Sequence, residues 1–403
     1  MERVISLFGL LSTIGLAWLL SSHKRLFPWR LVAAGLALQF VLAFLILKTR
    51  TGLRVFQWIG NLFTALLGFV DAGSEFVFGK FSEFHFAFQV LPTIIFFSSL
   101  MSVLYHLGVM QRVVQCLAWL MQRTLRTSAA ETLSASANIF MGQTEAPLVV
   151  RPYIATMTRS ELNAVMVGGF ATISGGVLAA FVKLQIDAGH LVTASVISSP
   201  AALVVAKILL PETERPSTLD KAQLSLPQPA RNIIEAATIG ASDGLKLALN
   251  VAAVLIAFIA LINMCDAALG WIGAWCGQSW SLTGALGYLF APLAWTMGIE
   301  PRDCLHAGEL LGIKMVANEV QAYMQLSEWM QPSSSVTLQP RTVTILTYAL
   351  CGFSNFASIG IQIGGLGALA PERQSDLAAL GLRAMLGGTL ACNLTACVAG
   401  ALL

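Results

Sequence analysis

Two glutamates stand in stretches of sequence that are otherwise almost free of charge. Glu145 lies in the run Gly-Gln-Thr-Glu-Ala-Pro at 142–147, and Glu319 lies in Asn-Glu-Val-Gln-Ala-Tyr at 318–323. An ionisable side chain inside a membrane costs about 2.5–3.5 kcal/mol, so it normally faces a wet cavity and serves a function. Amides and small residues flank both acids, as in polar pockets where a helix breaks within the membrane. The pattern predicts a ligand site.

The first acid follows an amide and a hydroxyl on consecutive residues, Gln143 and Thr144, and Pro147 comes soon after it. Consecutive side chains reach one ligand only where the chain turns, as at the tip of a hairpin. A turn at the start of a helix also leaves backbone N–H groups free to bind. We therefore expect Gln143, Thr144 and Glu145 to offer donors and acceptors suited to a heterocyclic base.

The second acid belongs to a set of polar residues, Asn318, Glu319, Asn355 and Ser358. Their donors and acceptors match the hydroxyl groups of a sugar. Phe353 is expected to pack against the flat face of the same ligand. The alternative is that these groups only bond to one another between helices, which is worth about 0.6 kcal/mol a pair. Two acids in matching repeats argue against that alternative.

A cation site is predicted at Asn138 and Thr172. A hard monovalent ion prefers uncharged oxygens, and unwound helices supply backbone carbonyls beside such side chains. The carbonyls of Met141 and Ile173 are therefore expected to complete the shell. The alternative is that Asn138 and Thr172 make ordinary structural hydrogen bonds.

The composition indicates a membrane protein. Hydrophobic residues make up 56% of the chain and charged residues 11%, whereas a soluble domain carries about 25% charged residues. The net charge of +3 is too small to indicate a nucleic acid partner. The seven cysteines show no metal-ligand spacing and no sign of a disulfide framework. Neither a nucleophile elbow nor an HExxH motif occurs, so we do not expect an enzyme.

Because a spanning helix needs about 20 apolar residues, the pattern predicts an all-α polytopic protein with eight transmembrane helices. The amphipathic stretch 52–70 is expected at the membrane interface. The segment 211–245, with four prolines and mixed charges, is expected to be a water-facing break. Leu247 to Leu261 is the most uniformly apolar run and suits a scaffold or subunit contact. The predicted spans lie near 4–21, 31–47, 87–110, 162–182, 191–210, 246–265, 342–364 and 377–402.

Two regions, 113–150 and 267–330, hold apolar pieces of about 10–15 residues that are too short to span. We interpret them as re-entrant hairpins, since irregular backbone within a membrane needs protein or a wet cavity around it. A broken helix follows each one, at 169–176 and at 352–360, and both breaks begin with Gly-Phe and end with glycine. The match predicts a duplicated unit, the arrangement typical of a transporter site.

Basic residues suggest an orientation. Those at 24–30 mark the first loop as cytoplasmic, and the arginines between 112 and 159 fall on the same face. Both termini are then outside, and the first hairpin enters from the cytoplasm. The basic residues at 48–54 fall on the opposite face, which conflicts with this assignment unless they anchor an interfacial helix.

Three separated motifs resemble those of the concentrative nucleoside transporter (CNT) family. The run 142–147 is similar to its first-hairpin motif, 310–323 to its second-hairpin motif, and 352–359 to its seventh-helix signature. The resemblance covers nearly the whole chain, whose length is similar to that of bacterial members with eight spanning helices.

The resemblance implies a homotrimer in which each protomer has a scaffold and a transport domain that moves like an elevator. Two oppositely oriented hairpins and an inverted repeat would form the transport domain. The implied division assigns 1–85 (N-terminal helices and interfacial helix) and 211–266 (cytoplasmic linker and trimer helix) to the scaffold. It assigns 86–210 and 267–403 to the transport domain.

The resemblance also implies roles for individual residues. Position 172 is Thr where relatives can have Ser, which keeps the hydroxyl. The implied nucleobase residues are Gln143, Thr144, Glu145 and Val177; the implied ribose residues are Glu319, Asn355 and Ser358, with Phe353 beside the base; and the implied sodium site is Asn138, Thr172 and the carbonyls of Met141 and Ile173.

We therefore predict a symporter that imports nucleosides across a bacterial inner membrane, driven by sodium. Asn138 and the hydroxyl at 172 favour sodium over the alternative, a proton. A channel is a further alternative, but it needs a continuous polar stripe rather than a discrete pocket. An enzyme acting on lipid-borne substrates is a weaker one. The preference for purine or pyrimidine stays open.

Overall fold

The computed structural model describes residues 2–79, 85–219, 230–275 and 280–403. Helices form most of these residues and no β-strand occurs among them, so the all-α prediction is confirmed. Pro227, Pro229 and Cys276 lie outside the described residues. The helices are α1 Glu2–Leu19, α2 Trp29–Lys48, α3 Arg50–Phe78, α4 Phe86–His106, α5 Val109–Leu125, α6 Ala129–Ala137, α7 Arg151–Ile154, α8 Arg159–Ala171, α9 Gly175–Lys183, α10 Ala188–Leu209, α11 Ile233–Trp275, α12 Leu282–Thr296, α13 Cys304–Val316, α14 Glu319–Trp329, α15 Pro340–Leu350, α16 Phe356–Leu369 and α17 Gln374–Leu402.

Within the described part of the chain, eight helical segments are long and apolar enough to cross a bilayer. The number agrees with the prediction, but one member differs. The segment Arg50–Phe78 qualifies, although only an interfacial stretch at 52–70 was expected there. The predicted span 342–364 does not qualify, because its break divides it into α15 and α16, which are each too short.

The prediction of a water-facing break up to residue 245 is wrong, because α11 begins at Ile233 and runs for 43 residues. The four prolines all precede residue 230, so none of them interrupts the helix. Asn232 caps its start, since its Oδ1 accepts a hydrogen bond from the Glu235 N–H at 2.8 Å. Of the charged residues that suggested a loop, Glu235 and Asp243 lie within this first part of the helix.

Close packing of α11 against α4 explains why the helix starts so early. Gly240 and Gly244 lie one turn apart on the face that contacts α4. A Cβ at Gly240 would lie 2.6 Å from the Ser98 carbonyl oxygen, so only glycine allows this approach. The Ser99 hydroxyl adds a bond to the Ala237 carbonyl at 2.8 Å.

Each predicted hairpin region contains one pair of short arms. The first consists of α6, a turn over 138–145, and a 3₁₀ turn at Ala146–Val150 that leads into α7. The second consists of α13 and α14, joined through Ala317 and Asn318. The hairpins are shorter than the predicted regions, because α5, α12 and the end of α11 are separate helices.

Both broken helices lie where the sequence predicts them. Extended backbone at 172–174 separates α8 from α9, and 351–355 separates α15 from α16. The two breaks touch, since the Phe353 N–H donates to the Thr172 carbonyl at 3.3 Å. Gly352 makes this possible, because a Cβ there would lie 2.8 Å from the Phe170 carbonyl oxygen.

The open end of the first hairpin is closed by two capping boxes, Ser128 with Glu131 and Thr158 with Glu161. They are joined directly, since the Ser128 hydroxyl donates to Glu161 Oε1 at 2.6 Å. Lys207 on α10 adds an ion pair to Glu131 at 2.8 Å. These buried bonds fix the first arm of the hairpin to the start of α8.

The open end of the second hairpin is closed in a similar way by one buried acid. Asp303, which precedes α13, accepts hydrogen bonds from the Gln339 N–H at 3.0 Å and from the Thr342 hydroxyl at 2.7 Å. Both donors belong to the start of α15. Each hairpin is therefore attached at its base to the broken helix that follows it.

Candidate functional site

The tip of the first hairpin is a tight turn. The Glu145 N–H donates to the Gly142 carbonyl at 3.0 Å, and the Gly142 N–H donates to Glu145 Oε2 at 3.1 Å. The carboxylate therefore folds back onto its own turn. Thr144, in the same turn, lies against α16, where a Cβ at Gly365 would be 2.8 Å from its Cγ2.

At the tip of the second hairpin, Asn318 caps α14 through a bond from the Gln321 N–H to its Oδ1 at 2.9 Å. Glu319 is the first residue of that helix and is buried. Its Oε2 accepts a hydrogen bond from Asn355 Nδ2 at 3.0 Å. Asn355 in turn caps α16, because its Oδ1 accepts from the Ser358 N–H at 2.8 Å. Two helix starts, with their free N–H groups, thus face one acid–amide pair.

A hydrogen bond joins the first tip to the start of α16, since Gln143 Nε2 donates to the Ser358 hydroxyl oxygen at 3.2 Å. One chain of hydrogen bonds therefore runs from Gln143 through Ser358 and Asn355 to Glu319. The Glu145 carboxylate is not part of this chain, although it belongs to the same turn as Gln143. A compact molecule with several donors and acceptors suits such an arrangement.

Two apolar residues of the predicted site flank the breaks. Phe353 follows Gly352 in the second break and is buried. Val177 lies in the first turn of α9, where its N–H donates to the Ser174 hydroxyl at 3.4 Å. The first hairpin tip also contacts this break, because the Gly175 N–H donates to the Phe140 carbonyl at 2.9 Å.

Asn138 ends α6 and is fully buried, yet neither its Oδ1 nor its Nδ2 has a hydrogen-bond partner among the described residues. It lies against the last turn of α8, where a Cβ at Gly168 would be 3.1 Å from its Nδ2. The Thr172 hydroxyl donates to the Gly168 carbonyl at 2.9 Å. A buried amide without partners costs about 1–3 kcal/mol, and a bound cation would remove that cost for its oxygen. Ile173 follows Thr172 in the break, and Met141 lies in the hairpin turn, one residue before Gly142.

One polar residue that bonds to this set was missed by the sequence reasoning. Gln362 on α16 donates from its Nε2 to Gln143 Oε1 at 3.2 Å and to the Met166 carbonyl at 3.1 Å. Its position is a usable signal, because residues four apart share a helix face and Gln362 follows Ser358 by four.

Three family models together match most of the chain. The model described as Na+ dependent nucleoside transporter C-terminus matches 190–400, and its N-terminus counterpart matches 8–81. The model described as Nucleoside recognition matches 87–187.

Known proteins are similar over the full chain. Sodium/nucleoside cotransporter 1 of Rattus norvegicus is 44% identical over 100% of this chain and 64% of its own length. The structure of CNTnw in an inward-facing substrate-bound state is 41% identical with a TM-score of 0.94, covering 100% of this chain and 98% of that one. A variant of CNTnw in an outward-facing state is 40% identical with a TM-score of 0.93, at the same coverage.

The chain spans between 59% and 64% of the length of the curated relatives it matches. It covers nearly all of the solved structures, which share its fold. The relatives are cotransporters and solute carriers rather than enzymes. The chain therefore belongs to the Na+ dependent nucleoside transporter family, the concentrative nucleoside transporters.

Proposed function

We propose that this protein is a symporter that imports nucleosides across the bacterial inner (plasma) membrane, driven by a sodium gradient. The observation that carries the proposal is the chain of hydrogen bonds from Gln143 to Glu319, which joins both hairpin tips through the start of α16 at the second helix break. A site built this way, from two interrupted helices and two re-entrant tips, is typical of secondary transporters.

The nucleoside would replace some of these bonds. Glu319 and Asn355 present an acceptor and a donor to the ribose hydroxyls, with Ser358 beside them and Phe353 against the base. At the other end, Gln143, Thr144 and Glu145 bind the nucleobase, and Val177 lines that side. The bond from Asn355 to Glu319 supports this assignment, because it holds a buried acceptor and a buried donor side by side.

Sodium would bind at Asn138 and Thr172, with the carbonyls of Met141 and Ile173. The hydrogen of the Thr172 hydroxyl is already donated to Gly168, so its oxygen is free to bind a cation. Asn138 Oδ1 has no other partner among the described residues. Because Met141 lies in the turn that leads to Gln143, the ion would order the base-binding tip. The linkage is reciprocal, so nucleoside would raise the affinity for sodium by the same factor.

The division into a scaffold and a transport domain is proposed with two changes to the predicted boundaries. We assign α1 to the transport domain, because Asn393 of α17 donates to the buried Thr13 hydroxyl at 2.6 Å. We assign α4 to the scaffold, because it packs closely along α11. An elevator movement between the two agrees with relatives whose structures are described as inward-facing and outward-facing.

Large exposed apolar residues of α11, such as Ile234 and Ile256, suit lipid or the contacts of a homotrimer.

Uptake into liposomes tests the proposal. The purified protein should concentrate labelled uridine or adenosine when sodium is outside, and should not do so with choline in its place. Uptake that a proton gradient drives equally well without sodium would reject sodium coupling. Non-saturable equilibration without accumulation would indicate a channel, and conversion of nucleoside to another product would indicate an enzyme.

A further inference from the structure

Gln362 forms a buried pair with Gln143. Its Nε2 lies 3.2 Å from Gln143 Oε1 and 3.1 Å from the Met166 carbonyl oxygen, and only 1% of Gln362 is exposed. No role follows for this residue from the proposed binding of base, ribose or ion.

The Met166 carbonyl determines how the two side-chain amides are oriented, because a carbonyl oxygen only accepts hydrogen bonds. The group of Gln362 that faces it must therefore be the NH₂, since the reversed amide would bring two oxygens together. The same NH₂ donates to Gln143, so the Gln143 oxygen faces Gln362. The Gln143 NH₂ is then left to donate to Ser358.

The orientation of these amides also determines which groups Gln143 and Ser358 present to the ligand. Because the Ser358 oxygen accepts a bond from Gln143, its hydroxyl hydrogen is free to be donated elsewhere, as is the second hydrogen of the Gln143 NH₂. We infer that Gln362 is a positioning residue that holds Gln143 and Ser358 as hydrogen-bond donors toward the nucleoside. The site then favours a base that presents an acceptor there. The inference rests on the proposed function of Gln143 and Ser358.

Gly169 gives independent support. A Cβ at this position of α8 would lie 2.6 Å from Gln362 Nε2 and 3.0 Å from the Gln143 Cβ. Glycine inside a helix costs about 1 kcal/mol relative to alanine. The space that Gly169 leaves for the glutamine pair accounts for its presence.

Uridine and cytidine form the test pair, because they have the same sugar and nearly the same size but opposite hydrogen-bonding groups at positions 3 and 4 of the base. In Gln362→Glu, an ionised carboxylate has no hydrogen to donate and a protonated one has only one. Gln143 should then turn its NH₂ toward residue 362 and its oxygen toward the ligand. We expect the uridine-to-cytidine ratio of kcat/KM for uptake to change about tenfold, the effect of one reversed hydrogen bond. A fall in the ratio would place the donors of the wild type at position 4 of the base, and a rise would place them at position 3. In Gln362→Met, residue 362 no longer fixes the orientation of the Gln143 amide but does not reverse it either. This variant should give an intermediate ratio.

Gln39→Met is the matched control, since Gln39 is a buried glutamine of α2 whose side-chain atoms have no partner among the described residues. Its ratio should equal that of the wild type. If Gln362→Glu does not fold, Gly169→Ala displaces Gln362 more gently and should shift the ratio in the same direction.

The outcomes separate the two claims. Equal losses for both nucleosides, at an unchanged ratio, would overturn the positioning role and leave the proposed function standing. Failure of the wild type to take up either nucleoside with sodium would overturn the proposed function, and the inference with it.

Discussion

Asn355 donates to the buried carboxylate of Glu319 at 3.0 Å while its own oxygen caps α16. One amide thus connects the tip of the second hairpin to the start of a broken helix, and both of its hydrogen-bonding ends are used. A buried acid that loses such a partner loses part of its compensation, which is costly in a low-dielectric interior. We therefore expect substitutions of this pair to impair the proposed site more than substitutions elsewhere in it.

We expect Glu319→Gln to reduce sodium-driven uridine uptake at least 100-fold while the protein still inserts and assembles. The substituted amide presents one acceptor in place of two and adds donors that face Asn355. Uptake into liposomes and gel filtration measure the two properties. Glu372→Gln, at an exposed acid, is the control and should transport normally. Normal uptake by the Glu319 variant would remove Glu319 from the site.

The broken helices and hairpin tips could be predicted because their signals are local. Gly, Ser and Asn interrupt apolar runs at 169–176 and 352–360, and short apolar pieces cannot span. The predicted tips and breaks then give the positions of the polar residues of the site. These features need no knowledge of which helices are neighbours.

The early start of α11 and the role of Gln362 could not be predicted, because each depends on a distant partner. Residues 233–246 include charges that suggest a loop, and they form a helix through the contact of Gly240 and Gly244 with α4. The spacing from Ser358 places Gln362 on the same face of α16, but the sequence does not show that the Met166 carbonyl lies against it.

Asn138→Ala should abolish stabilisation by sodium. The Asn138 side chain makes no hydrogen bond to a described residue, so its removal costs little without the ion. In the wild type, sodium at 100 times its Kd would add about 2.7 kcal/mol to the stability of the folded state. Thermal unfolding in sodium and in choline measures the difference, which we expect in the wild type and not in the variant. A melting point that still rises with sodium would place the ion elsewhere.

Lys207→Met should destabilise the closed base of the first hairpin. Lys207 lies 2.8 Å from the buried Glu131 and 3.1 Å from Glu212, and removing one partner of a buried ion pair costs about 3–5 kcal/mol. Adding Glu131→Gln removes the uncompensated charge and should restore much of the loss. Thermal unfolding of the two single variants and the double variant tests this. Additive losses in the double variant would contradict it.

Gly244→Ala should weaken the packing of α11 on α4, because the new Cβ would lie 2.7 Å from the Ile95 Cα. The matched control is Gly68→Ala in α3, where nothing lies within 4 Å. That change should stabilise the protein by up to about 1 kcal/mol through helix propensity. Thermal unfolding should therefore shift in opposite directions for the two variants, and equal shifts would argue against a close contact at Gly244.

The proposed movement requires one ion pair to break. Asp71 on α3, in the proposed scaffold, lies 2.5 Å from Lys183, which ends α9 in the proposed transport domain. We expect Asp71→Cys with Lys183→Cys, joined by a short bifunctional thiol reagent, to lose uridine uptake while keeping uridine binding. Each single cysteine variant should keep uptake after the same treatment, which controls for the protein's own cysteines.

The matched control for this cross-link lies within one proposed domain. Arg159 and Asp376 form a partly exposed pair at 3.4 Å between the starts of α8 and α17, and we assign both helices to the proposed transport domain. A cross-link between cysteines at these two positions should leave uptake intact, because the residues travel together. If both cross-links leave uptake intact, α3 moves with the transport domain and the boundary lies elsewhere. If both abolish it, the two halves of the transport domain move relative to each other, which would contradict a rigid elevator.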